Sequence, residues 1–448
     1  MAVAPLAVIA LSGTLCAGSL SSYADDQPTQ PAAATEESPA TETTTPTQPA
    51  PTEGDTDASE AVEPAPEPAE ESSPTGACAD LVTTPDILAT DRTPDGGPIQ
   101  FTPSPSGKIT PVIFVHGWVS WVTHDEERTG YFSHYINKTA NGHAGIVLSH
   151  DKERTSLIGL IQQIPGVAPY LFDYSKVASR WVTDPEIGPK LGRAVTCLAK
   201  HYGVKPVIVA HSMGGNATRE ALAQRDGEGG LVGDHVSRVI TFGTPNTGSD
   251  NAALLGKIID GAGKPLLLGA PARLVKHMLE KCGEGMDAEG KPCLGNPVID
   301  AFYSQGGKAL RTGSPEMKVL PAWPKNVHVT ALAGDIQLGG ISMFGWDSKR
   351  AIDLGDMLVS EESALAGSTD NNVVRCEYGI VSTHSVSDGI KLIGGLIKGT
   401  DRPATLASTP CWHEALLRET TQTGIARDII TAYATQPVAD SQTAAETH

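Results

Sequence analysis

The sequence predicts an α/β fold: a mostly parallel central sheet with helices on both faces and a helical, lid-like insertion. Three observations lead to this prediction. Short apolar runs alternate with helix-like segments from about residue 105 onward. One run stops abruptly in VIVAHSMGGNA, residues 207–217, where a glycine-rich turn follows. More than 80 residues separate two later runs, far more than an ordinary connection needs.

Six apolar runs are predicted to be strands. The central runs are apolar at successive positions, which is typical of parallel strands covered by helices on both sides. Pro111 and Pro206 each open a run, where a missing N–H costs little. The six runs are PVIFVHG (111–117), APYLFDY (168–174), PVIVAHS (206–212), RVITFGT (238–244), HVTALAG (328–334) and NNVVRCEYGIVS (371–382).

The clearest helix precedes the third run. Asp184 is predicted to be its N-cap, Pro185 its first residue and Gly203 the residue that ends it. Apolar residues between these positions recur at helical spacing and form one face. Strand, helix and strand in this order predict a doubly wound domain with right-handed crossovers.

The first 77 residues have a different composition from the rest. Residues 1–24 are predicted to be a signal peptide, and residues 25–77 an acidic, disordered spacer rich in Thr, Pro, Glu and Ala. Residues 1–77 hold 13 acidic residues and no Lys or Arg, which accounts for most of the net charge of −19. This balance argues against nucleic acid as a partner. Residues 78–448 are left as one catalytic domain, with no transmembrane segment once the signal is removed.

Six cysteines follow the signal, and an even number in an exported chain predicts disulfides. Cys282 and Cys293 flank a short loop and form the first predicted pair. Cys78 is predicted to meet Cys197, which lies off the apolar face of its helix, and this leaves Cys376 with Cys411. A thiolate zinc site is not expected because the sequence has no C-x-x-C pair.

The turn at Ser212 has two interpretations. It is either a simple strand end or a nucleophile elbow, a strained strand-to-helix turn that presents the serine hydroxyl to a substrate. Small neighbours are needed two residues before and two after such a serine, and Ala210 and Gly214 meet that need. The strand before and the helix after favour the elbow, with His211 and Gly215 as supporting residues.

A serine nucleophile needs a base and an acid, which follow it in the order Ser, Asp or Glu, His in this architecture. His384 is the predicted base because IVSTHSVSD leaves the carboxyl end of the last run. His413 is placed instead in a C-terminal helix-like segment. Asp335, Asp353 and Asp356 compete for the acid.

Two N–H groups are expected to form an oxyanion hole. One belongs to Met213, directly after the nucleophile, and the other to Trp118 in the loop after the first run. Gly117 lets the backbone approach closely, and His116 is assigned a supporting role.

VIFVHGW, VIVAHSMGG, ITFGTPNTGS and GDMLVSEESA together resemble secreted bacterial lipases and esterases of the α/β-hydrolase fold, over about 108–250 and 325–390. AHSMGG is similar to the alanine-variant elbow of small Bacillus-type lipases. GDMLVSEESA is similar to the Asp-Gly-Leu-Val segment of Pseudomonas- and Burkholderia-type lipases, which implies that Asp356 is the acid. Met357 stands where that family has glycine, so Asp335 remains a competitor. The family's calcium is not carried over, because Asp388 is not at the family's closer spacing from His384.

The predicted function is a secreted or cell-surface carboxylic ester hydrolase, more specifically a triacylglycerol lipase, acting through an acyl-enzyme on Ser212. Its substrate is a lipid or other ester, taken at a lipid–water interface in the lipase case, and no cofactor or metal is expected. An extracellular acyltransferase with the same triad and a non-catalytic cell-surface binding protein are the alternatives. Residues 251–325 are predicted to form a lid or cap over an acyl pocket; the alternative is that its amphipathic helices pack on the core.

Overall fold

The computed structural model describes most of residues 78–448 and little of what precedes them. Outside the described residues lie the predicted signal peptide and spacer, residues 251–303 of the predicted lid, Cys282, Cys293 and His384, so the predictions about them stay predictions. The described residues are 78–85, 107–118, 131–133, 155–250, 304–343, 346–348, 352–383 and 410–435, with positions 93, 97, 102 and 104.

An eight-stranded sheet forms the centre of the domain. Six strands run parallel in the order β2-β1-β3-β4-β5-β8, and two short strands, β6 and β7, pair antiparallel with β5. All six predicted runs are strands, and the predicted α/β architecture is confirmed. The strands are β1 Thr110–Val115, β2 Val167–Phe172, β3 Val207–His211, β4 Arg238–Phe242, β5 His328–Met343, β6 Trp346–Ser348, β7 Ile352–Asp353 and β8 Asp370–Thr383.

Helices cover both faces of the sheet. Val112 and Phe114 of β1 belong to one buried cluster, and Ile113 and Val115, which alternate with them, belong to another. The sheet therefore has an apolar core on each side, as the uninterrupted apolar runs predict. The helices are α1 Leu157–Gln162, α2 Gly188–Tyr202, α3 Met213–Leu222, α4 Gln305–Ala309, α5 Pro315–Val319, α6 Glu361–Leu365 and α7 Thr420–Ala434.

Helix α2 ends where the sequence predicts but begins later. Gly203 adopts a left-handed conformation, with φ of 61°, and ends the helix. The predicted start at Asp184 and Pro185 is wrong, because Pro189 lies in the first turn of the observed helix. A helix begun at Pro185 would place Pro189 in its interior, where the ring clashes with the carbonyl four residues earlier. Asp184 instead accepts a hydrogen bond from the N–H of Glu186, 3.0 Å away.

The long insertion between β4 and β5 leaves and re-enters the domain at one place, which we call the insertion stem. The N–H of Ser249 donates to the carbonyl of Leu310, 2.7 Å away. Arg219 of α3 ties the two sides together, donating to the carbonyls of Asn246 at 2.6 Å and Pro321 at 2.8 Å. In the returning segment, core positions are filled by Ala309, Leu310, Met317 and Leu320. Residues 304–325 therefore pack on the body of the domain.

Two of the three predicted disulfides are confirmed. Cys78 is bonded to Cys197 of α2, and Cys376 of β8 is bonded to Cys411. The second bond holds the segment that follows residue 410 against the last parallel strand. Within the described ranges no helix is long and apolar enough to span a membrane.

Candidate active site

Ser212 lies in the turn between β3 and α3 in a strained backbone conformation. Its φ of 53° and ψ of −129° are unusual for a residue with a side chain. The surrounding structure holds this conformation: the N–H of Ser212 donates to the carbonyl of Phe242 at 2.9 Å. Its own carbonyl accepts from the Thr244 hydroxyl at 3.1 Å. Strain fixed by neighbours in this way is typical of functional sites.

The glycines after Ser212 have no room for a side chain. A Cβ at Gly214 would collide with the carbonyl oxygens of Val115 and His116, and one at Gly215 would collide with the side chain of Thr244. Helix α3 therefore packs tightly against the ends of β1 and β4. Ala210, two residues before Ser212, is fully buried in β3.

A buried acid–base pair lies close to this turn. The Nδ1 atom of His413 is 2.7 Å from the Oδ2 atom of Asp356, and both side chains are at most 4% exposed. The other carboxylate oxygen of Asp356 accepts from the N–H groups of Leu358 at 3.0 Å and Val359 at 2.7 Å. The N–H of His413 donates to the carbonyl of Asp356 at 3.1 Å. Both residues are thus held through main chain as well as side chain.

Contacts with β3 and β4 place this pair next to Ser212. The Nε2 atom of His211, the residue before Ser212, is 3.1 Å from the carbonyl oxygen of His413. The backbone of Gly243 lies against the pair: a Cβ there would be 2.6 Å from Asp356 Oδ2 and 2.9 Å from His413 Nδ1. Gly243 follows β4, the neighbour of β3 in the sheet.

The histidine beside Asp356 is therefore His413, whereas sequence reasoning assigned the base to His384. His413 does not lie in a helix: it follows Cys411 in a turn, and α7 begins at Thr420. A signal for it was present in the predicted disulfide, because a Cys376–Cys411 bond brings residue 413 to the end of the sheet.

Asp335, the competing acid, has different surroundings. It is fully buried on β5, where it accepts from Gln337 Nε2 at 2.7 Å and lies 3.6 Å from Arg375 Nε. Burial, together with a hydrogen bond to Asp353, raises the pKa of Asp335 to about 7. Among the described residues no histidine contacts it, and Asp353 contacts none either.

Met357, which stands where the lipases that the sequence resembles have glycine, has a backbone conformation typical of glycine. Its φ is 76°, in the left-handed region that glycine adopts most easily. The chain around Asp356 therefore makes the turn for which that glycine is suited, and methionine adopts it at a cost of about 1–2 kcal/mol.

The loop after β1 lies directly against Ser212. A Cβ at Gly117 would be 2.7 Å from the Ser212 Cβ, so only glycine permits this approach. Met213 is the first residue of α3, and first-turn N–H groups have no acceptor within their helix. Trp118 follows Gly117, and its indole N–H donates to the Ser304 hydroxyl, 3.4 Å away.

His116 holds this loop in place. Its ring is buried and stacks on Tyr174 with centroids 3.8 Å apart. Nε2 accepts from the Tyr174 N–H at 3.0 Å, so Nδ1 carries the proton and donates to the Gly117 carbonyl at 2.9 Å. The part of the chain that the structure describes contains no cluster of three or more His, Cys, Asp or Glu that could hold a metal ion.

Comparisons with known proteins give similar folds and one family match. The sequence pattern of the lecithin:cholesterol acyltransferase family matches residues 189–280, which include the turn at Ser212. No curated protein sequence matches the chain.

Solved structures similar to this chain include three lipases. A Bacillus licheniformis lipase in its mature form has 16% identity and a TM-score of 0.36, over 75% of this chain and 96% of that one. Aspergillus fumigatus lipase B has 12% identity and a TM-score of 0.36, over 82% and 60%. Staphylococcus hyicus lipase has 14% identity and a TM-score of 0.33, over 75% and 99%. At these values the assignment of the α/β-hydrolase fold rests on the strand order and on the turn at Ser212.

Proposed function

We propose that this protein is a serine ester hydrolase in which Ser212 is the nucleophile, His413 the general base and Asp356 the acid that orients it. The observation that carries this proposal is the buried Asp356–His413 pair, 2.7 Å apart, next to a strained serine turn. A carboxylate at Nδ1 keeps the imidazole proton on that nitrogen, so the Nε2 lone pair is available to take the proton of the serine hydroxyl.

The reaction follows the two steps of serine acyl transfer. Ser212 Oγ attacks the ester carbonyl while its proton passes to His413 Nε2, and His413 then protonates the departing alkoxide. The N–H groups of Met213 and Trp118 are proposed to stabilise the oxyanion, each being worth about 10²–10³-fold in rate. Water, activated by His413, then releases the acid from Ser212 and restores the enzyme.

A lipid ester is the proposed substrate, with triacylglycerol as its specific form. The family match favours a second candidate function, in which an alcohol replaces water as the acceptor of the acyl group. Product analysis with and without an added alcohol separates the two. A panel of p-nitrophenyl esters from acetate to palmitate would define the acyl preference.

Export and a lid are further parts of the proposal. The two disulfides fit an oxidising compartment and support the predicted signal peptide. The lid proposal is now confined to residues 251–303, since residues 304–325 pack on the body of the domain. Turnover of tributyrin across its solubility limit tests it: a jump in rate at droplet formation supports a lid, and simple saturation below the limit contradicts it.

The central test compares two histidine variants. We expect His413→Ala and Ser212→Ala each to abolish both ester turnover and labelling by a fluorophosphonate probe, because the first removes the base that activates the nucleophile and the second removes the nucleophile. His384→Ala is the matched control and is expected to retain activity. An active His413→Ala beside an inactive His384→Ala would return the base to His384. A wild-type protein that the probe does not label would indicate a non-catalytic binding protein.

A further inference from the structure

His211 is a buried imidazole that the proposed reaction does not use. Its side chain lies between the two segments that form the site. On one edge of the ring, Nε2 is 3.1 Å from the carbonyl oxygen of His413. On the other edge, Nδ1 lies against Gly117, where a Cβ would be 3.3 Å away. The ring thus contacts the loop proposed to hold the oxyanion and the segment proposed to hold the base.

The protonation state of His211 follows from its surroundings. Burial, with the neighbouring His413 as a smaller cause, holds the pKa of His211 well below its ordinary value of 6.5. The ring is therefore neutral at neutral pH and carries one proton. Because a carbonyl oxygen can only accept, that proton is on Nε2, and His211 is the donor in its bond to His413.

Hydrogen bonds hold His413 from two sides. Its N–H donates to the Asp356 carbonyl at 3.1 Å, and its side chain donates to the same residue at 2.7 Å. Asp356 accepts both of these bonds, so they set the position of the base relative to Asp356. The third bond is donated by His211, the last residue of β3, which directly precedes Ser212.

We propose that His211 is a positioning residue that sets the place of His413 relative to Ser212 through the Nε2–H bond to the His413 carbonyl. This inference rests on the proposed function. His211 neither gives nor takes a proton during the reaction. It acts by holding His413 at the reacting distance from Ser212, the residue that follows His211 in the chain.

Three substitutions at His211 test the role of this one N–H. The amide nitrogen of His211→Gln falls near the position of Nε2, whereas that of His211→Asn falls near Nδ1 and does not reach the His413 carbonyl. His211→Leu has no donor. We expect kcat for a p-nitrophenyl ester to fall roughly 10–100-fold in the Asn and Leu variants, because a displacement of about 1 Å costs up to about 100-fold. KM should change little, and the Gln variant should keep most of kcat.

Thermal unfolding of all four proteins provides the control for folding, with kinetics measured below the lowest midpoint. The Gln and Asn variants both carry a buried amide, so their comparison decides the matter even where the Leu variant does not fold. A Gln variant as slow as the Asn variant, or a Leu variant with unchanged kcat, would overturn the proposal. Failure of the proposed function has a different outcome: the wild-type protein would show no turnover, or Ser212→Ala or His413→Ala in otherwise wild-type protein would retain it.

Discussion

Replacing Asp356 with asparagine should invert one hydrogen bond at the base. The N–H groups of Leu358 and Val359, 3.0 and 2.7 Å from Oδ1, require an oxygen at that position. The new NH₂ group therefore replaces Oδ2 and faces His413 Nδ1 across 2.7 Å. The opposite amide orientation would leave these two N–H groups, one buried and one partly buried, without an acceptor, at a cost of up to about 1–3 kcal/mol each.

In the favoured orientation Nδ1 of His413 must accept a hydrogen bond, so the imidazole proton moves to Nε2. The Nε2 atom can then no longer accept the proton of Ser212. We expect kcat/KM to fall by about 10³–10⁴-fold, which is a loss of about 4–5 kcal/mol of transition-state stabilisation. Steady-state hydrolysis of a p-nitrophenyl ester measures this loss, with thermal unfolding as a check that the fold is intact. Asp335→Asn is the matched control and should stay active. The reasoning is refuted if Asp356→Asn keeps a tenth of the activity, or if Asp335→Asn is the inactive variant.

Three substitutions test the packing, a disulfide and the electrostatics near the site. Gly215→Ala should unfold at lower temperature and lose most activity, because its methyl group would collide with Thr244; unchanged melting would contradict this packing. Cys411→Ser should lower the free energy of unfolding in denaturant by about 4 kcal/mol, since its disulfide spans 35 residues. An equally stable variant would show that the bond adds nothing. Asp335→Asn should make stability less dependent on pH. The raised pKa of about 7 means that the folded protein keeps a proton that the unfolded chain releases, so stability falls as pH rises from about 4 to about 7. The sign is refuted if the melting temperature of the wild type, taken relative to that of Asp335→Asn, rises over this range.

The sequence predicted the sheet well because its signal is local. Each parallel strand is an apolar run, and Pro111 and Pro206 mark where two of them begin. The turn at Ser212 was also readable, because its small neighbours are needed within a few residues. The start of α2 was missed although the sequence marks it: Pro185 suits a first turn, but a helix begun there would place Pro189 in its interior.

The proposed base, His413, was harder to predict because its placement depends on contacts far apart in the chain. His413 lies 57 residues from Asp356 and 202 from His211. His384 satisfied a local rule, that the base follows the last strand. His413 reaches the candidate site through a tertiary contact, since the disulfide at Cys411 brings this part of the chain back to that strand. Asp356 was selected by resemblance, and Met357 weakened that resemblance although its backbone makes the same turn.

The closed insertion stem has a consequence for how freely the length of the insertion can change. The chain leaves at Ser249 and returns at Leu310, and a hydrogen bond of 2.7 Å already joins these two points. Lengthening a segment whose ends are joined costs only about 0.6 kcal/mol for each doubling of its length. We therefore expect changes in the length of residues 251–303 to cost β4 and β5 little stability. If residues 251–303 form the proposed lid, such changes would alter the acyl or acceptor preference and leave the proposed catalytic residues in place.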